Sequence, residues 1–149
     1  GIVFLAIEIR QSNRIAVIEA SNEVYSNYSS LNELLITQPE FAALLVRINQ
    51  LDSVEEIEPT DRIILESWMY RLWNVWYPAN VAYESGLLVT ETFNTVFNDV
   101  TAVVAQCGPA TRQVWRELIA SYPATENSQL HNYLERALDE VEYVGVSRQ

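Results

Sequence analysis

Apolar residues recur along this chain at three- and four-residue steps, the spacing that gathers side chains on one face of an α-helix. Val17, Ala20, Val24, Tyr28, Leu31 and Leu35 share such a face, within a first helix predicted over residues 3–36. Thr37-Gln38-Pro39-Glu40 has the form of a capping box and opens a short second helix through Phe41, Leu44, Leu45 and Ile48. The acidic connector that follows, with Asp52, Glu55, Glu56 and Glu58, lacks the ligand spacing and central glycine of a calcium loop.

Thr60 is expected to cap a third helix reaching about residue 85. Ile64, Leu65, Trp68, Leu72, Val75, Trp76 and Ala79 form one apolar face of it, and Ile63, Tyr70, Trp73, Tyr77 and Val81 form another. A helix apolar on two sides belongs at the centre of a bundle. Pro78 cannot donate to the carbonyl of Asn74, so a kink or break is expected there. A fourth helix starts at Thr90, with Phe93, Val96, Phe97, Val100, Val103 and Val104 inward; residues 100–104 have strand propensity, but their spacing favours helix. Two more helices are predicted over residues 110–121 and 127–141. Gly86 and Gly108 stand where helices should stop, and Pro39, Pro59, Pro109 and Pro123 fall at boundaries. The expected fold is all-α: a single-domain antiparallel helical bundle of about six helices over residues 1–149, with a long first helix and a central, Pro-kinked third helix.

Composition removes several functions from this picture. The net charge is −11, and all nine basic residues are arginine, scattered from Arg10 to Arg148. No lysine is present for a P-loop or a Schiff base, and no basic cluster can follow a nucleic-acid backbone. Nucleic acid is therefore not an expected partner.

Chemistry at a site would have to use Cys107 or His131, the only cysteine and histidine. Cys107 falls at a predicted helix C-terminus, where the partial negative charge disfavours a thiolate, so it reads as a packed residue. His131 and Glu135 are one helical turn apart but have no second histidine or thiolate to complete a metal site, so a surface position is expected for His131. Neither a nucleophile elbow nor a dinucleotide-binding glycine pattern is present. No catalytic residue, metal ligand or cofactor is expected, and the balance is against an enzyme.

The sequence offers two places for binding. Around Pro78, aromatic rings with polar tips lie beside carboxylates and an amide, and Glu66, Tyr70, Trp73, Tyr77, Asn80 and Glu84 are the candidate ligand-binding residues. The competing reading is an aromatic core layer with its polar ends at the surface. The other place is the amino end, where Ile2-Val3-Phe4-Leu5-Ala6-Ile7 runs without a charge. A bilayer span takes about 20 residues, so residues 2–9 read as the closing turns of a longer membrane helix, or else as a helix start buried in the core.

Glu8-Ile9-Arg10-Gln11-Ser12-Asn13, directly after that apolar run, resembles the Ile-Arg-Gln-Asn-Thr signature of a group of small bacterial proteins. The likeness continues through Tyr83-Glu84-Ser85-Gly86-Leu87-Leu88, then Gly108-Pro109 with Arg112 and Trp115, and Tyr133-Leu134. It departs at Val89-Thr90-Glu91, where the group tends to carry Asp-Glu-Glu. The resemblance implies one amino-terminal membrane helix followed by a helical domain, and it implies no activity. Arg10 and Arg14 beside the apolar run favour the cytoplasmic side of a bacterial inner membrane, crossed once. The expected function is a non-catalytic, membrane-tethered interaction or sensing domain that binds a protein partner or a second copy. The alternative is a small-molecule-binding module with its pocket at Pro78.

Overall fold

The computed structural model describes residues 2–122 and 125–146, and Gly1 and the boundary residue Pro123 lie outside them. Six α-helices make up the bundle: α1 (Ile2–Thr37), α2 (Pro39–Ile48), α3 (Pro59–Glu84), α4 (Thr90–Ala105), α5 (Pro109–Ala120) and α6 (Gln129–Val146). A 3-10 turn at Val54–Glu56 joins α2 to α3, and the described residues include no strand.

α3 is central and packs against α1, α4, α5 and α6. Its inward side supplies Leu65, Met69, Leu72, Trp73, Val75, Trp76 and Ala79 to the core. Neither of its two apolar faces is fully covered: Ile64 on the first is exposed, as are Ile63, Tyr70 and Val81 on the second. α3 runs through Pro78 without a break. The inward residues expected of α4 are buried or half-buried, and residues 100–104 are helical.

Several helix ends differ from the sequence expectation. Thr37 does not cap α2; its hydroxyl donates back to the Glu33 carbonyl at 2.8 Å, and Gln38 holds the N-cap position without a side-chain bond. Thr60 lies inside α3, whose N-cap is Glu58 with Pro59 in the first turn. In both cases proline at the helix start supplies the entry, since its fixed φ suits the first turn and its missing N–H is not needed there.

The two internal glycines stop helices for different reasons. Gly86 has φ +72°, and the Leu87 N–H to Ala82 and Gly86 N–H to Tyr83 bonds close a Schellman turn at the end of α3. Gly108 has an ordinary φ of −75°. Its requirement is space, because a Cβ there would sit 1.9 Å from the Asn49 carbonyl oxygen, where the end of α2 meets the start of α5.

α1 has two distinct parts. Val24 and Leu31 are buried, with Ala20 and Tyr28 packed beside them, so its second half lies on the bundle as the spacing predicts. Residues 2–15 are all exposed. At 1.5 Å per residue, roughly 20 Å of helix stands clear of the bundle. Its start is therefore not buried in the core.

Candidate functional sites

The six residues singled out around Pro78 separate into three groups. Glu66 and Tyr70 line a shallow pocket of about 120 Å³ with Glu117 and Ser121 from α5. Glu66 accepts from the Arg62 Nε at 2.8 Å, and Arg62 also reaches Glu117 at 2.5 Å, so the carboxylates there are held in a surface ion-pair network. Trp73 is buried in an aromatic layer, stacked on Tyr77 at 5.6 Å and on Tyr122 at 5.8 Å.

Asn80 and Glu84 form the third group and serve the start of α6. Asn80 is fully buried, and its Oδ1 accepts from the Leu130 N–H at 3.1 Å. One turn later the exposed Glu84 accepts from the Gln129 N–H at 3.4 Å. The next amide of α6, that of His131, donates to the Ser128 hydroxyl at 3.1 Å. Side chains from α3 thus satisfy donors that the first turn of a helix leaves unpaired. Beside Pro78 itself, between α1 and α3, the open space is about 40 Å³, room for about one water molecule.

A second polar centre lies between α1, α3 and α4. The Trp76 indole N–H donates to the Asp99 carboxylate at 2.7 Å, and Trp76 stacks on Trp115 at 5.5 Å. Burial raises the Asp99 carboxyl above its ordinary range, and the Trp76 donor opposes that rise. Burial also pushes the Tyr28 phenol well above its ordinary range, and the Asp99 charge acts in the same direction. The Tyr28 hydroxyl itself is buried without a hydrogen bond among the described residues. At this centre Tyr28 packs α1 against the core.

His131 is buried, 4% exposed, and not at the surface as expected. Its Nε2 lies 3.4 Å from Glu135, as the helical spacing foretold, and Nδ1 faces the Thr125 hydroxyl at 3.5 Å. The imidazole is carried inward because Leu130, Leu134 and Leu138 define the inner face of α6 and position 131 borders it. No group of three or more metal-ligating side chains occurs among the described residues. Cys107 is buried with its thiol donating to the Val103 carbonyl at 3.3 Å, and burial pushes the thiol up to about 12. A thiol held neutral in that way is a packed residue rather than a nucleophile.

Two further features face outward from the bundle. One is the projecting end of α1, where Ile2 is 87% exposed and Phe4 65%. The other is a cleft of about 330 Å³ bounded by α2, α3 and the ends of α1, α4 and α5. Periodicity alone could not find this cleft, because its walls come from five helices and its residues have ordinary core identities. No family model, curated protein or solved structure matches the chain.

Proposed function

We propose that this domain is a non-catalytic interaction or sensing module held at a bilayer by the apolar end of α1. The observation that carries the reading is the exposure of Ile2, Val3, Phe4, Leu5 and Ile7 on a helix end whose residues 2–15 are all exposed. Six consecutive apolar residues at 100° each cover the whole circumference, so this end has no polar face. A partner helix would call for a stripe, whereas an all-round apolar surface suits hydrocarbon. Among the described residues no helix is long and apolar enough to cross a membrane, so residues 2–7 stand for the buried end of a tether in this reading. Arg10 and Arg14, also exposed, fall where basic side chains meet the cytoplasmic headgroups. The resemblance of residues 8–13 to a juxtamembrane signature agrees with that placement.

The five large side chains are each worth about 1.5–3 kcal/mol when fully buried, so partial insertion amounts to about 5–10 kcal/mol before ordering costs. That is the strength of a single acyl chain, which binds reversibly. The 149-residue chain should co-float with zwitterionic phosphatidylcholine vesicles, with little dependence on salt because the driving term is apolar. A variant with Ile2, Val3, Phe4 and Leu5 changed to serine should remain in the dense fraction. Failure of the parent to float, or equal flotation of the variant, would overturn the proposal. So would a stable dimer that loses its interface in the serine variant and ignores vesicles, since a second copy would then be the partner.

A further inference from the structure

The cleft between α2 and α3 has a polarity that selects a ligand class. None of the residues lining it is charged. Its apolar wall is built by Leu35, Leu45, Val46, Trp68 and Leu72, while Asn49, Gln106 and Thr111 lie together where α2 and α4 end and α5 begins. Lining residues run along α2 from Ala42 to Val46 and on to Asn49 just past its end. The volume holds roughly ten groups the size of a water molecule.

The polar end presents a donor. Asn49 Oδ1 accepts from the Thr111 hydroxyl at 2.6 Å and from the Gly108 N–H at 3.4 Å. The Gly108 amide can only donate, which fixes the oxygen on that side and turns Nδ2 away from it. Among the described residues Nδ2 has no acceptor, and Asn49 is half-buried at the rim of the cleft. The side chain is thus locked by two bonds with its amide N–H groups unspent. A mainly apolar pocket with a few fixed polar groups is the usual form of a small-molecule site.

We propose that this cleft binds a neutral, mainly aliphatic molecule of about ten non-hydrogen atoms whose oxygen accepts from Asn49. A carboxylate head is disfavoured, because the lining has no cation and the chain carries a net charge of −11. The site is separate from the end of α1, so it stands or falls independently of membrane attachment.

Met69 is the only methionine and lines the cleft, which makes its methyl group a single reporter. Titration of the methyl-13C-methionine protein with 1-octanol should move that resonance to saturation. Octanoate, of the same length but charged, should bind about tenfold more weakly or worse. Val46→Phe and Ala42→Phe fill the cleft at successive turns of α2; Val46 is 60% exposed, so its replacement leaves the core intact. Loss of the saturable shift in either variant that retains its near-UV circular dichroism supports the site. A Met69 shift that is absent or rises linearly without saturation overturns it, as do equal affinities for octanol and octanoate. Unchanged octanol affinity in both filled variants has the same consequence.

Discussion

Replacing Gly108 with alanine tests why a glycine stands between α4 and α5. At φ −75° alanine is conformationally at ease, and restriction of the unfolded chain alone would stabilise the variant by about 0.4–1 kcal/mol. Packing has the opposite sign. The new Cβ would lie 1.9 Å from the Asn49 carbonyl oxygen, 2.7 Å from its carbon and 3.1 Å from its Cα. These are backbone atoms at the end of α2, so no change of rotamer relieves them. The helix ends must separate by roughly 1 Å to reach even a tight contact. That movement pulls on the Thr111–Asn49 bond at 2.6 Å and on the Ala110 N–H bond to the Leu51 carbonyl at 3.3 Å. Overpacking costs about 1–3 kcal/mol and each weakened hydrogen bond about 0.5–1.5, leaving a net loss of about 2–5 kcal/mol. At about 2–4 °C per kcal/mol for a chain of this size, the melting temperature should fall by about 4–20 °C. Gly86→Ala is the comparison, with φ +72° and nothing within 4 Å, so only the left-handed backbone is penalised, by about 1–2 kcal/mol. Urea unfolding followed by circular dichroism gives both values, with unchanged m-values as the check on two-state behaviour. A Gly108→Ala protein as stable as its parent, or more stable, would refute the close-approach argument.

Asp99 and Asn80 supply two further tests. Because burial raises the Asp99 carboxyl, the folded state holds that proton more tightly than the unfolded chain. Stability from this group therefore falls as pH rises from the ordinary value of 3.8 through the raised one, and is level above it. Asp99→Asn keeps an acceptor for the Trp76 indole and removes the decline, so its stability relative to the parent should improve as pH rises from 3.8 through the raised value. A difference that stays constant with pH in urea unfolding would show that Asp99 does not titrate differently in the two states. Asn80→Ala leaves the buried Leu130 N–H without its acceptor and should cost about 1–3 kcal/mol. Amide exchange at Leu130 should quicken more than at mid-helix Leu138, and equal protection at both would argue against the cap.

The contrast between those residues and the end of α1 shows what kind of information a single sequence holds. Helix identity is local, and the repeat of Val24, Tyr28 and Leu31, or of Phe93, Val96 and Val100, was enough to place those faces. The bare apolar run at residues 2–7 was legible for the same reason, since no polar residue interrupts it. The structure added that this run is exposed along its whole length. Long-range partnerships were not legible. Asn80 reads as a ligand contact from its polarity within an aromatic stretch; its Oδ1 accepts from Leu130, 50 residues away, and its Nδ2 is buried without a partner among the described residues. Glu84 is likewise spent on Gln129, 45 residues away. His131 looked like a surface residue because a single polar position beside a leucine stripe carries no sign of which side of the boundary it occupies. Gly108 was recognised as a stop, but by the left-handed rule that applies to Gly86 alone. The cleft had no sequence signal, since Asn49 reads as an ordinary helix end until Gly108 and Thr111 fix its oxygen and leave its amide nitrogen without an acceptor among the described residues. What the bundle offers a partner is therefore set less by any motif than by what the packing leaves uncovered, above all a helix end with no polar side and a cleft with no charged residue in its lining.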